Sequence, residues 1–229
     1  MAEPAEPRLV GRRVLVVGAG TQSSPDPDAP VGNGRAISIL AARQGATVIC
    51  ADRDRGSAEN TAELVSAEGG TAEVVVADVA SEEDCRSMIA AAATEGLDGL
   101  VLNVGIGRGR GLAETSAEDW DLVMGVNLRG HFLCTREAMP QMDEGGSIVN
   151  ISSIAGLQPG SRIPAYDASK AGLIGLCRHT ALEGARQGVR ANVVAPGLID
   201  TPLGRWASAG RPSRGRTPVP LGRQGNAWE

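Results

Sequence analysis

The sequence predicts an α/β fold: a doubly wound parallel sheet with six strands, flanked by helices on both faces. Two observations predict it. The strand candidates are continuous apolar runs rather than alternating ones, as strands buried on both faces are. Segments with helical periodicity separate them, as right-handed crossovers between parallel strands require.

Residues 12–17 (RVLVV after Arg12) form the first apolar run, and 35–43 the first helix, with apolar residues at helical spacing. Residues 47–51 are the second strand, 57–68 a helix and 72–77 the third strand. Ser81-Glu82-Glu83-Asp84 reads as the capping segment of a helix running to about Glu95. Residues 98–103 are strand four, 116–139 mostly helix and 147–151 strand five. A long helix over 164–187 and a strand over 189–195 complete the pattern. No repeat or linker divides the chain, so residues 1–229 read as one domain. Two segments read as irregular: 19–31, with three Pro and two Asp, and 198–223, rich in Pro, Gly and Arg.

Composition narrows the function classes. A net charge of −5 argues against nucleic acid as a partner. No apolar run is long enough to span a bilayer. Residues 1–7 hold two Glu and two Pro and carry no signal-peptide pattern, so a cytoplasmic protein is expected. Cys50, Cys85, Cys134 and Cys177 lie far apart without metal-ligand spacing, and read as small buried hydrophobes in a reducing compartment; no metal site is expected.

One compositional fact points to chemistry. Lys170 is the only lysine among 22 basic residues, and Tyr166 is the only tyrosine. A spacing of four places both on one face of the long helix. A free tyrosine titrates near pH 10, and a neighbouring cation favours its phenolate, which tunes Tyr166 toward acid/base work. Lysine serves here as a compact point charge, unlike arginine's planar fork. Ser153, just past strand five, is either an ordinary loop hydroxyl or a group that orients a substrate oxygen. Asn127 is either a polar helix residue or a further partner. His131 and His179 sit in helices and read as structural.

The opposite half of the same sheet edge reads as a nucleotide site. Strand one ends at Gly18, and the next helix begins near Gly32-Asn33-Gly34. Glycines there either let the backbone approach a pyrophosphate at a helix N-terminus or make a plain strand-to-helix turn. Asp52 ends strand two. It can accept from both adenosine ribose hydroxyls, favouring NAD over NADP, or it can cap the turn. Arg53 and Arg55 could meet a 2′-phosphate, which keeps NADP possible. Asp78, ending strand three, and Asn103-Val104-Gly105, ending strand four, fall on that edge too.

These motifs together resemble the short-chain dehydrogenase/reductase family, in particular its 3-oxoacyl-carrier-protein reductase-like members. The resemblance rests on Ser147-Ile-Val-Asn-Ile-Ser-Ser153, Tyr166-Asp-Ala-Ser-Lys170, Asn192-Val-Val-Ala-Pro196-Gly197 and Gly125-Val-Asn127-Leu-Arg-Gly130, and spans about residues 9–204. It implies a Rossmann fold and hydride transfer between a nicotinamide cofactor and a carbonyl or secondary alcohol. It implies that Tyr166 exchanges the proton, and that Lys170 binds the nicotinamide ribose and lowers the Tyr166 pKa. Ser153 would hold the substrate oxygen, and Asn127 a water linked to Lys170. Pro196, Gly197, Ile199 and Thr201 would wall the nicotinamide, and Asp78-Val79 would face the adenine. The alternative is a nucleotide-binding regulatory or scaffold protein without turnover; the full Asn127, Ser153, Tyr166 and Lys170 set argues for the enzyme.

Three departures from the family pattern stand out. Val17 replaces a Thr, and thirteen residues instead of three separate Gly18 from Gly32. Desolvating Asp26 and Asp28 against a pyrophosphate would be costly, so the insertion is expected to loop outward, leaving Gly32-Asn33-Gly34 on the phosphates. It could instead cover the adenosine or serve oligomer contacts. The usual Asn-Asn-Ala-Gly after strand four is Leu102-Asn103-Val104-Gly105. Residues 220–229 resemble the lead-in to a last helix and seventh strand that the chain does not include; either it is truncated or its sheet edge is completed another way. An uncovered edge strand invites association, so a homo-oligomer, dimer or tetramer, is expected. Loop 198–223 is expected to cover the substrate. Its Arg205, Arg211, Arg214, Arg216 and Arg223 are either solvated or suited to an anionic substrate such as an acyl thioester on a phosphopantetheine carrier.

Overall fold

The computed structural model describes residues 6–24, 26, 28–158, 160–209 and 219–229. Six strands form one parallel sheet: β1 (Arg13–Val17), β2 (Thr47–Asp52), β3 (Thr71–Val76), β4 (Gly99–Leu102), β5 (Ser147–Ile151) and β6 (Arg190–Val194). Their order is β3-β2-β1-β4-β5-β6, so the chain reverses its direction of travel between β1 and β4. Cα partners such as Val17 with Ala51 and Val17 with Leu102 bring the three central strands to one carboxyl edge. In such a sheet the crevice at this switch point is the ligand position.

The helices are α1 (Asn33–Arg43), α2 (Arg55–Ala67), α3 (Glu82–Ala92), α4 (Ala117–Met124), α5 (Gly130–Ala138), α6 (Pro164–Gly184) and α7 (Pro202–Ser208). Alternation along β1 splits the core. Leu15 and Val17 join Ile49, Leu100, Leu102, Met88, Ile89 and Leu133 on one face of the sheet. Val14 and Val16 join Val48, Cys50 and Ala46 on the other. All four cysteines are buried thiols. Side-chain caps begin α2 (Asp54), α3 (Ser81) and α4 (Ser116), each accepting a first-turn backbone N–H.

Three expectations need amending. The outer strands β3 and β6 are half-exposed rather than buried on both faces, because each has a neighbour on one side only. The helix expected over 116–139 is broken by a π-helical turn, Gly125–Arg129. Segment 198–223 is not all loop. Ile199–Asp200 (β7) pairs in parallel with Gly225–Asn226 (β8), and α7 follows, capped by Thr201 and carrying Pro202 in its first turn. Insertion 19–31 is tied at its base. Thr21 Oγ1 accepts from Gly32 N at 3.1 Å, pinching the excursion to 22–31 at its base.

Candidate active site

Tyr166 and Lys170 occupy the first two turns of α6, where Pro164 presets the helical backbone. Lys170 is 3% exposed and donates from Nζ to the Ile151 carbonyl at the end of β5, at 2.8 Å. Its Nζ lies 5.7 Å from the centre of the Tyr166 ring. Burial pushes the Lys170 pKa down to about 8. The preceding strand end is tied to the same helix: Ser152 Oγ donates to the Lys170 carbonyl at 2.7 Å. Ser153 begins the short 3-10 turn Ile154–Gly156, its Oγ accepting from Ala155 N at 3.2 Å. That bond uses a lone pair and leaves the Ser153 O–H to be donated.

Asn127 sits in the π-helical turn and is fully buried. Its Oδ1 accepts from Ile106 N at 2.8 Å, and its Nδ2 donates to Ile106 O at 2.9 Å. The same Nδ2 lies 3.1 Å from Ser169 Oγ, which donates to the Tyr166 carbonyl. One side chain thus joins the segment after β4 to the helix carrying Tyr166 and Lys170. Between its two supports stands Gly105, where a Cβ would lie 3.1 Å from Lys170 Nζ. Ser169 and Ser152 were not anticipated. The hydroxyl three residues after Tyr166 was a readable signal; that of Ser152, beside the more obvious Ser153, was not.

Across the crevice lies the glycine loop. Gly18 holds φ at +78°, a conformation that glycine adopts without strain. The Gly18 carbonyl accepts from Asn103 Nδ2 at 2.8 Å, so Asn103 braces this loop. A Cβ at Gly34 would collide with the Gly18 carbonyl and lie 2.7 Å from Asn103 Nδ2. Gly32 precedes α1, whose first turn has no side-chain cap and no acidic residue, unlike α3 and α4. Its backbone N–H groups at Asn33 and Gly34 suit an anion. Thr21 is pinned to α2 through Ser57, its N donating to Ser57 Oγ at 2.9 Å.

At the end of β2, Asp52 Oδ2 accepts from Gly20 N at 3.0 Å and Oδ1 from Asp54 N at 3.1 Å. The cap of α2 is Asp54, not Asp52, and Asp52 keeps further lone pairs on both oxygens. Beside it a shallow cleft is lined by Arg53, Asp54, Val76, Ala77, Asp78 and Asp84. Arg55 lies apart from that lining and pairs with Glu59 within α2. Val79, next to Asp78, is 4% exposed and packs against Gly130 at the start of α5.

The chain beyond β6 closes the other wall. Pro196 O accepts from Ile154 N at 2.9 Å, tying it to the Ser153 turn, while Gly197 is exposed. Ile199 lies in β7, and Thr201 Oγ1 accepts from Gly204 N at 3.0 Å. Trp206 of α7 and Ile163 flank Gly107. Of the arginines of 198–223, the two described are both paired. Arg205 lies between two carboxylates, 2.8 Å from Asp200 and 2.8 Å from Asp26 of the 22–31 excursion. Its guanidinium holds the Asp200 carboxyl below the usual carboxylate range. Arg223 pairs with Glu229 at 2.6 Å. Arg211, Arg214 and Arg216 fall outside the described residues.

Comparison with known proteins converges with this geometry. Residues 30–229 match a family described as Enoyl-(Acyl carrier protein) reductase. The chain is 36% identical to a 3-oxoacyl-(acyl-carrier-protein) reductase of Thermotoga maritima, across 97% of this chain and 88% of the relative. It is 37% identical to a human (3R)-3-hydroxyacyl-CoA dehydrogenase, across 89% of this chain and 79% of the relative. A crystal structure of a short chain dehydrogenase from Mycobacterium avium superposes with a TM-score of 0.75 at 35% identity, covering 82% of this chain and 68% of that one. The protein is therefore an NAD(P)-dependent oxidoreductase acting on CH–OH or C=O groups, and the chain belongs to the short-chain dehydrogenase/reductase family.

Proposed function

We propose that this protein interconverts a 3-oxoacyl and a 3-hydroxyacyl thioester, with Tyr166 as the general acid/base and NAD as the preferred cofactor. The observation that carries the reading is the Lys170 ammonium, buried at the end of β5 beside the Tyr166 ring and held by the Ile151 carbonyl. A cation fixed there favours the tyrosinate and so makes the Tyr166 proton easier to give up. In the reductive direction Tyr166 gives its proton to the substrate oxygen; in oxidation it takes one back. Ser153 donates its O–H to the same oxygen and orients it. Asn127 keeps the segment after β4 in register with α6.

The crevice fits a dinucleotide. Gly18 and Gly34 let the glycine loop pack against Val104 and α1 more closely than a side chain would permit, and the start of α1 that Gly32 leads into presents donors to a pyrophosphate at Asn33 and Gly34. Asp52 is placed to accept from ribose hydroxyls. The neighbouring cleft sets Asp54, Asp78 and Asp84 against Arg53 alone, a balance that disfavours a 2′-phosphate and supports NAD over NADP. Asn103 and Gly105 line the middle of the groove, the Asp78-Val79 backbone its adenine end, and Pro196, Gly197, Ile199 and Thr201 its nicotinamide end. When bound, the nicotinamide supplies or accepts the hydride. We place the 198–223 segment over the substrate, with Trp206 and Leu157 as exposed apolar surface for an acyl chain. The acyl thioester class follows the named substrates of the relatives. Self-association is part of the proposal, supported by β6 at the sheet edge with Val194 49% exposed.

The test is a titration of NADH and NADPH binding, followed by turnover of a 3-oxoacyl thioester monitored at the nicotinamide absorbance. Tyr166→Phe should lower kcat by about a thousandfold or more while leaving the cofactor Kd within about threefold. Turnover that survives Tyr166→Phe, or binding of neither cofactor, would defeat the reading.

A further inference from the structure

His131 lies one turn beyond Asn127, at the start of α5, and is fully buried. It touches two strand ends at once. Nε2 lies 3.0 Å from the Val104 carbonyl, just past β4, and Nδ1 lies 3.0 Å from the Asn150 side chain, in β5. A carbonyl can only accept, so Nε2 carries the proton and donates to Val104. Burial, together with the nearby Lys170 charge, pushes the ring down to about 4, so it is neutral and Nδ1 is an acceptor. Asn150 must then present its Nδ2–H to the ring. That orientation gives a partner to an amide nitrogen otherwise buried without one.

Both groups that His131 holds are adjacent in sequence to groups that meet Lys170. Val104 precedes Gly105, where a Cβ would stand 3.1 Å from Lys170 Nζ. Asn150 precedes Ile151, whose carbonyl accepts from that Nζ at 2.8 Å. Val104 also backs the phosphate side: a Cβ at Gly18 would lie 2.9 Å from both its N and its Cα. Asn127 clamps the same segment two residues further on, at Ile106.

We propose that His131 is a positioning residue that, through its bond to Val104 and its contact with Asn150, sets the segment Val104–Ile106 between Gly18 and Lys170 and so shapes the middle of the cofactor groove. It does not touch the reacting atoms. The inference rests on the reading of this crevice as a nicotinamide site.

The test compares His131→Leu, His131→Gln and His131→Asn with the wild type. A glutamine Nε2 can reach the place of the imidazole Nε2 and donate to Val104, whereas an asparagine amide reaches only as far as Nδ1. Melting temperature, the Kd for NADH and for NADPH by fluorescence titration, and kcat are measured for each. His131→Leu should weaken binding of the preferred cofactor by about tenfold or more, from an unpaired buried carbonyl and a slackened segment. His131→Gln should recover binding to within about threefold of wild type, and His131→Asn should not, although both polar variants lose comparable thermal stability. If the leucine variant fails to fold, the Gln and Asn pair decides. Equal cofactor affinity in Gln and Asn, or wild-type affinity in Leu, would overturn the role of His131 and leave the active-site reading standing. A wild-type protein that binds neither cofactor would overturn both.

Discussion

Replacing Lys170 with Met removes the ammonium and keeps most of the stem. In the wild type that group is 3% exposed and has the Ile151 carbonyl as acceptor. Burial takes its pKa from 10.5 to about 8. A gap of that size corresponds to roughly 3 kcal/mol between the protonation states. Between about 8 and 10.5 the unfolded chain holds the proton and the native state does not, so stability rises with pH across that window. Below about 8 both states are protonated, and the full cost of burying the cation is present. The methionine variant lacks this group. The unfolding free energy of the wild type minus that of Lys170→Met should therefore increase by roughly 2–3 kcal/mol between about pH 7.5 and about pH 10. Near pH 7 the two proteins should differ by only about 1–2 kcal/mol, because relief of the buried charge is offset by loss of a charge-assisted hydrogen bond. Urea unfolding of both proteins without added cofactor, at matched ionic strength and followed by circular dichroism, reads this difference directly. A difference that stays flat with pH would refute the reasoning, since it would mean that the native ammonium titrates like a solvated lysine.

Three further substitutions test the glycine packing and the surface charge. Gly34→Ala should abolish measurable cofactor binding and cost about 1–3 kcal/mol, because its Cβ meets the Gly18 backbone; Gly175→Ala in α6, with open space around the added Cβ, should instead raise stability by about 0.5–1 kcal/mol in the same melts. Arg205→Ala should change stability little, and any loss should vanish at high salt, because both of its carboxylate pairs are close to half-exposed; a large, salt-independent loss would show that the 22–31 excursion is held by more than charge.

Much of the sheet was readable because its signals are local. Strand β5 spans 147–151 as expected, and the other strands differ from expectation by one or two residues at their ends, since a continuous apolar run marks a buried strand. Tyr166 and Lys170 were legible as the sole members of their residue types, and the structure brings both to the end of β5. Other features depend on partners distant in sequence. The π-helical turn at Asn127 leaves no periodicity mark, yet it lets one amide reach Ile106 and Ser169 together. Helix α7 has seven residues including a Pro and a Gly, too few for an amphipathic pattern, and its Thr201 cap looked like loop composition. His131 read as structural because only the approach of β4 and β5 gives its two ring nitrogens their neighbours. The arginines of 198–223 read as either solvated or suited to an anionic substrate, and the sequence gives no sign that Asp26, 179 residues away in the chain, pairs with Arg205.

The pinch between Thr21 and Gly32 makes the length of the inserted stretch independent of the nucleotide end of the molecule. Its two strands of chain meet at a closed gate, with Thr21 fastened to Ser57 on one side and Gly32 leading into α1 on the other. What lies between is held at this base and by the Asp26–Arg205 pair, and doubling the length of such a closed loop adds only about 0.6 kcal/mol of closure entropy. Natural drift can therefore lengthen, shorten or rewrite residues 22–31 without redrawing the glycine cradle beneath them. For an engineer the same gate is a grafting point, a place beside the crevice where a reporter peptide or a recognition loop can be hung from the fold.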